Sequence, residues 1–513
     1  MFAVRPDRGR DRHIVFWYDD KGEFEDYVAD LNLGSARLLL LSGRNNYQAK
    51  RTLEAEDTVS NFLVYSPRPR PAPVDNWLLD IELYSDHYSA DRLSIIMRDL
   101  GMDSPELRPV VEKYSRFFGS KERIEKFKAL GITEYSERSI ETGIMSVLTR
   151  QKAADLNAVF RALLCDGSAD AIAGVAGFEI VERYARSEYG YSKPEFHMDT
   201  FRIMAFVSAL AHQARLALPK SWSGLMSSRK ANCYVLVDGL AREPETRKQY
   251  DEIAVSVSTE IGISSYIDEW DPRDYAGSGV FRECDIAIIR RIIDGLVTQV
   301  DTFDYWTELM EKRRTTRWYP EFRHIYQAVE HAIAVARFQQ EWRANFAEGD
   351  ALALFDAYTR RYFLMDQAYR KFYVSYDKAR KPELLKGMRN RVEGIYRNWF
   401  LQDLGMAWSD AVQQDLAEWQ RLDGRVDQQD MFFASVESHL VRDGRVFVIV
   451  SDALRYETGE ELAGRLRREF SGDTELRPMQ GVLPGITSLG MASLLPHRSS
   501  LAIGEGGSGI VYG

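Results

Sequence analysis

Residues 446–450, VFVIV, are an unbroken run of β-branched and aromatic side chains, and this run constrains the fold more than any other feature of the chain. A stretch without polar alternation suits a strand covered on both faces, as in parallel sheets flanked by helices. Asp452 follows almost at once. YETGEELAGRLRREF (456–470) then repeats apolar residues at three- and four-residue steps, the period of an amphipathic helix. TELRPMQGVL is a second strand candidate, TSLGMASLL a second helix, and RSSLAIGEGGSG a third strand with a glycine loop. The order strand–helix–strand–helix–strand predicts an α/β domain over 431–513. The sequence reaches Gly513 before such a sheet would be finished, so the expectation is a domain cut short.

Two other regions precede it. Over 1–90, HIVFWYDD, ARLLLLSG and NFLVYSPRPRP read as three strands, with GEFEDYVADL as the helix after the first. Strands alternating with helices predict a small α/β domain with a parallel sheet. The third run meets SPRPRPAP, which cannot continue a ladder. Residues 91–430 are helical in period, rich in Tyr and Trp that suit helix packing. Within them, ANCYVLVDGLA fits a strand or a buried helical turn equally well.

Composition narrows the function. Lys and Arg number 67 against 77 Asp and Glu, so the net charge of −10 disfavours nucleic acid or anionic lipid as the main partner. EKRRTTRWYPEFR and DKARKPELLKGMRNRVEGIYRNW are basic, but solvated helix faces are the commoner cause of such stretches. The three cysteines, Cys165, Cys233 and Cys284, lie far apart and fit a reducing, cytoplasmic compartment. FRIMAFVSALAHQARLAL is interrupted by Arg202, His212 and Arg215, which makes it a buried helix rather than a membrane span.

The chemistry centres on Asp452 and Thr487. In open α/β sheets reacting groups gather at the carboxyl ends of the strands. If 446–451 and 474–482 were neighbouring parallel strands, Asp452 and Thr487 would share one rim. A helix N-terminus at Thr487 would favour a phosphate there. An acid and an alcohol so placed suit metal-assisted nucleophilic attack, with Ser488 as backup nucleophile. Both residues also suit helix capping. GEGGSG (504–509) has no following helix to seat a dinucleotide. Asp19 and Asp20 read as turn or cap residues.

VIVSDALRYE followed by LPGITSLGMASLLPH resembles the signature of the PglZ family, alkaline-phosphatase-like components of BREX phage-defence systems. IVFWYDDKGEFE and NFLVYSPRPRPAPVDNWLLDIELY are similar to the N-terminal part of its type A members. The resemblance implies that Asp452 is a metal ligand and Thr487 the nucleophile, in a P-x-x-T context from Pro484. It implies that Arg455 orients Asp452 or contacts phosphate, that the metal is divalent, with zinc the first choice, and that other BREX proteins are partners. The superfamily needs further Asp and His ligands after the nucleophile, and this chain offers only His497 and Glu505 there. The expectation is therefore a phosphohydrolase acting on phosphomonoesters or phosphodiesters in the intact protein, and inactive as this chain alone. The alternative is a protein-interaction scaffold of the defence complex.

Overall fold

The computed structural model describes residues 11–89, 92–166, 169–216, 218–300, 302–342, 346, 350–414, 426–482, 485–496, 503–506 and 509–512. The chain forms two compact units, Met1–Met198 and Asp199–Gly513.

The first unit is built on a parallel sheet of β1 (Ile14–Tyr18), β2 (Arg37–Leu40), β3 (Phe62–Ser66) and β4 (Asp86–Tyr88), in the order β2-β3-β1-β4. β1 and β3 are the central pair, and their side chains alternate between two cores. Ile14, Phe16, Phe62 and Val64 face Leu53, Leu78 and Ile81 on one side. Val15, Trp17, Leu63 and Tyr65 face Phe24 and Val28 on the other. The three expected strands are present, and the parallel arrangement with them. The expected helix after β1 is not: between β1 and β2 there is only a 3-10 turn, Val28–Asp30. The buried carboxylate of Asp19 accepts the backbone N–H of Phe24 at 2.7 Å and the Tyr65 hydroxyl at 2.6 Å, so the segment leaves β1 as a tight turn. That is the turn role expected of Asp19. The rest of this unit is helical. Its centre is Glu141, wholly buried, which accepts the hydroxyls of Tyr114 at 2.6 Å and Tyr184 at 2.8 Å and pairs with Arg183.

The second unit is mostly helical. The helix Met198–Gln213 buries its central stretch, Phe201 and Ile203 to Leu210, and among the described residues no helix is long and apolar enough to cross a membrane. ANCYVLVDGLA lies in a helix, Lys230–Arg242. The helices Tyr319–Trp342 and Phe363–Ala379 pack along each other. Asp285 and Arg313 form a fully buried ion pair, closed by the Tyr326 hydroxyl at 2.7 Å from Asp285. Cys233 and Cys284 are buried thiols, neither of them in a disulfide.

Towards the C-terminus the expected helices are found at Tyr456–Glu469 and Thr487–Leu494, with another at Phe432–Asp443. The strands are a different matter. Residues 445–451 adopt no strand, and Phe447 and Ile449 are 81% and 91% exposed. A strand is defined by a hydrogen-bonded neighbour, and no described strand lies beside this run. Of the second candidate only Met479–Gln480 pairs, in parallel, with Asp427–Gln428. Ile503–Gly506, within the third, pairs antiparallel with Gly509–Tyr512.

Candidate functional site

Asp452 stands in a turn, Ser451–Leu454, ahead of the helix Tyr456–Glu469. The next residue, Ala453, has φ +55°. A left-handed alanine costs about 1 kcal/mol and is held only where its surroundings over-determine it. Here the three residues that follow supply the restraint. The Arg455 guanidinium hydrogen-bonds the Tyr396 hydroxyl and lies in the field of Asp366, which holds its charge firmly. The Tyr456 hydroxyl donates to the Thr359 carbonyl at 3.1 Å, and its ring meets Phe363 edge-on at 5.6 Å. Glu457, fully buried, takes a fork from Arg370, Nε at 2.8 Å and Nη2 at 2.9 Å.

The receiving surface has its own irregularity. Tyr358–Tyr362 and Tyr396–Leu401 are π-helical turns, which free backbone groups and recur at functional sites. The Thr359 carbonyl lies in the first. Asp366 ties both together, accepting the Tyr396 hydroxyl at 2.6 Å and the Tyr358 hydroxyl at 2.5 Å. Burial, then the Asp366 contact, push the Tyr358 and Tyr396 phenols well above their usual range, so both remain donors.

Asp452 itself is exposed, and it is not the helix cap: that position belongs to Arg455, whose carbonyl accepts the N–H groups of Thr458 and Gly459, each at 3.0 Å. Thr487 is likewise no cap. It is the first residue of its helix, exposed, with Ile486 before it, and Ser488 is exposed beside it. Gln429 holds this segment from behind, accepting the Val482 N–H at 3.2 Å and donating to the Gly490 carbonyl at 2.9 Å. Pro484 and His497 lie outside the described residues, and of Glu505 only the backbone is described.

The shared rim is not formed by a sheet, since 445–451 adopts no strand and 479–480 pairs with 427–428. Among the described residues no hydrogen bond or ion pair joins Asp452, Arg455, Thr487 and Ser488 to one another, and Arg455 turns to Tyr396 rather than to Asp452. No group of three His, Cys, Asp or Glu side chains among them has the arrangement to hold a metal ion. The described residues therefore do not fit a complete metal centre around Asp452. Sequence reading missed Arg370, Asp366, Tyr396 and Gln429, because each meets the motif from far away in the chain; a paired change at 370 and 457 among relatives is the signal that would reveal the first.

Comparison with known proteins places this segment in a class. Residues 431–512 match the model of the BREX system PglZ alkaline phosphatase-like domain, so the turn and both helices belong to an alkaline-phosphatase-like domain. Over 498 residues the chain is 32% identical to the alkaline phosphatase-like protein PglZ of Bacillus cereus (strain H3081.97), covering 96% of this chain and 58% of that protein. It is 28% identical over 523 residues to the alkaline phosphatase-like protein BrxZ of Escherichia coli O9:H4 (strain HS), covering 95% of this chain and 59% of that one. The chain belongs to the PglZ family, and it spans rather less than two thirds of the length of these curated relatives. No solved structure matches it significantly.

Proposed function

We propose that the chain acts, in a protein of its relatives' full length, as a component of a bacterial BREX phage-defence system whose alkaline-phosphatase-like domain hydrolyses a phosphomonoester or phosphodiester. Thr487 is the nucleophile and Asp452 a ligand of a divalent metal, zinc by family likeness. The remaining ligands come from the part of the relatives outside the match, and other BREX proteins are its partners in the cytoplasm. The observation that carries the reading is the treatment of Asp452: an exposed carboxylate beside a left-handed alanine, on a turn anchored by Arg455, Tyr456 and Glu457 and not spent on capping. Strain kept in place by three anchors is the mark of a positioned group.

Thr487 adds to this. In the first turn of a helix it stands among unpaired backbone N–H groups, whose partial positive charge suits a phosphoryl oxygen. Its exposed hydroxyl can approach phosphorus, and departure of an alcohol would leave a phosphothreonine for water to cleave. Because the described residues complete no metal centre here, the metal's chemistry belongs to the extended protein. Arg455 is a positioning residue in this reading, through Tyr396.

The test compares the 513-residue chain with one extended to the relatives' length, both incubated with zinc and p-nitrophenyl phosphate or its bis ester. The reading expects turnover from the extended protein alone. An extended, zinc-loaded, folded protein inert to both esters would leave the scaffold reading in its place. That second reading draws on the exposed run Phe447–Val450, an apolar segment with no strand beside it among the described residues.

A further inference from the structure

We propose that the helical second unit carries a binding site for a small phosphorylated molecule of nucleotide size, in a cavity lined by Arg242, Arg247 and Arg317. The cavity, of about 730 Å³, lies among the helices Lys230–Arg242 and Arg247–Glu260 and the loops at 277–280 and 315–317. Sites of a few hundred to a thousand cubic ångströms hold small organic ligands. A bare phosphate would leave most of this one empty.

Charge selects the ligand's sign. Three guanidinium groups line the cavity against one carboxylate, Asp238, in a chain whose net charge is −10. Asp238 holds Arg242 through Nε at 2.7 Å, which leaves other N–H groups of that fork available. Arg317 pairs with Asp251 through Nη2 at 2.7 Å, and Arg247 also attracts Asp251. Burial nevertheless pushes the Asp251 carboxyl up against the pull of both arginines.

The Nε of Arg317 is buried and has no hydrogen-bond acceptor among the described residues. Native proteins leave few buried donors unmet, because the lost hydration is not recovered. That atom is sealed from the open cavity, so the groups that meet a ligand are the exposed guanidinium groups of Arg242 and Arg247, whose geometry suits the oxygens of a phosphate. The other wall is aromatic and firm. Tyr234 and Tyr250 line it, and the Tyr250 hydroxyl fixes the loop by donating to the carbonyls of Gly279 at 3.1 Å and Val280 at 2.8 Å. Phosphate against the arginines and a planar ring against Tyr234 would use both walls. Asp452 and Thr487 take no part in this site.

Calorimetric titration of the whole chain with AMP tests it, with inorganic phosphate as the second probe. AMP should bind, and Arg242→Ala with Arg247→Ala should weaken it by about tenfold or more. Both side chains are exposed, so the fold should survive; Arg247→Gln alone is the milder variant if it does not. Thr487→Ala should leave AMP binding unchanged, which separates this site from the phosphatase-like segment. No AMP binding up to about 10 mM, an unchanged affinity in the arginine variants of a folded protein, or phosphate binding as tightly as AMP would each overturn the proposal.

Discussion

Arg370→Ala removes the firmest tie between the Asp452 turn and the helices beneath it, and its cost can be worked from the contacts. Arg370 gives three hydrogen bonds of 2.8–3.0 Å to Glu457 and one of 2.5 Å to Glu461. Glu457 has no exposed side-chain surface, whereas Arg370 is 34% exposed. Removing one partner of a buried pair costs about 3–5 kcal/mol. Water can enter from the exposed side of Arg370 and hydrate the stranded carboxylate, so about 2–3 kcal/mol is the expectation. Hydrogen exchange over 456–469 reads the local opening directly, and protection there should fall about 30- to 160-fold. The acid range supplies a second signature. The Arg370 hydrogen bond, with Lys371 and Arg465, holds the Glu461 carboxyl down at about 2. A carboxyl below its ordinary value stabilises the fold above that value, and the benefit is lost as pH falls from about 4 towards 2. Arg370→Ala should flatten this acid limb. Replacing Arg370 and Glu457 together by methionine should recover most of the loss. Protection within twofold of wild type in Arg370→Ala, with the acid limb intact, would refute the anchoring role.

Other outcomes follow from single sites. Arg313→Leu strands the buried Asp285 carboxylate and should cost about 3–5 kcal/mol in urea unfolding of the second unit, one of the largest losses available there. Ala453→Gly relieves the left-handed residue and should stabilise the turn by up to about 1 kcal/mol, while Ala453→Val should destabilise it; exchange of the Ser451–Leu454 amides distinguishes them. Burial pushes the thiols of Cys233 and Cys284 up to about 11 and about 12, so both should resist a thiolate-specific reagent at pH 8 and react only after unfolding.

What could be read from the chain depended on whether its cause was local. β1, β2 and β3 were legible because each apolar run finds its neighbours within the same ninety residues. β4 was not: Asp86, His87 and Tyr88 carry no strand pattern, and the strand is held by Tyr88 edge-on to Trp17 at 5.1 Å and by His13 against Asp86. Phe24 and Val28 sit one helical turn apart and suggested a helix, but Asp19 captures the Phe24 N–H and turns the chain first. VFVIV has the composition of a buried strand but no partner among the described residues, and pairing is a property of two segments. At the candidate site, both helices were visible in the sequence, but the turn that carries Asp452 was not. Their anchors were not, since Arg370 meets Glu457 across 87 residues.

The central claim is that the Thr487 hydroxyl attacks phosphorus in the extended protein. Acid quenching during turnover of p-nitrophenyl phosphate, followed by mass spectrometry of the peptide holding residues 485–496, looks for the phosphoryl group itself. Phosphothreonine at 487 is the expected result, with loss of turnover by about a hundredfold or more in a folded Thr487→Ala protein. A Thr487→Ala protein that turns over at the wild-type rate, or a phosphoryl group found on Ser488 instead, would contradict it.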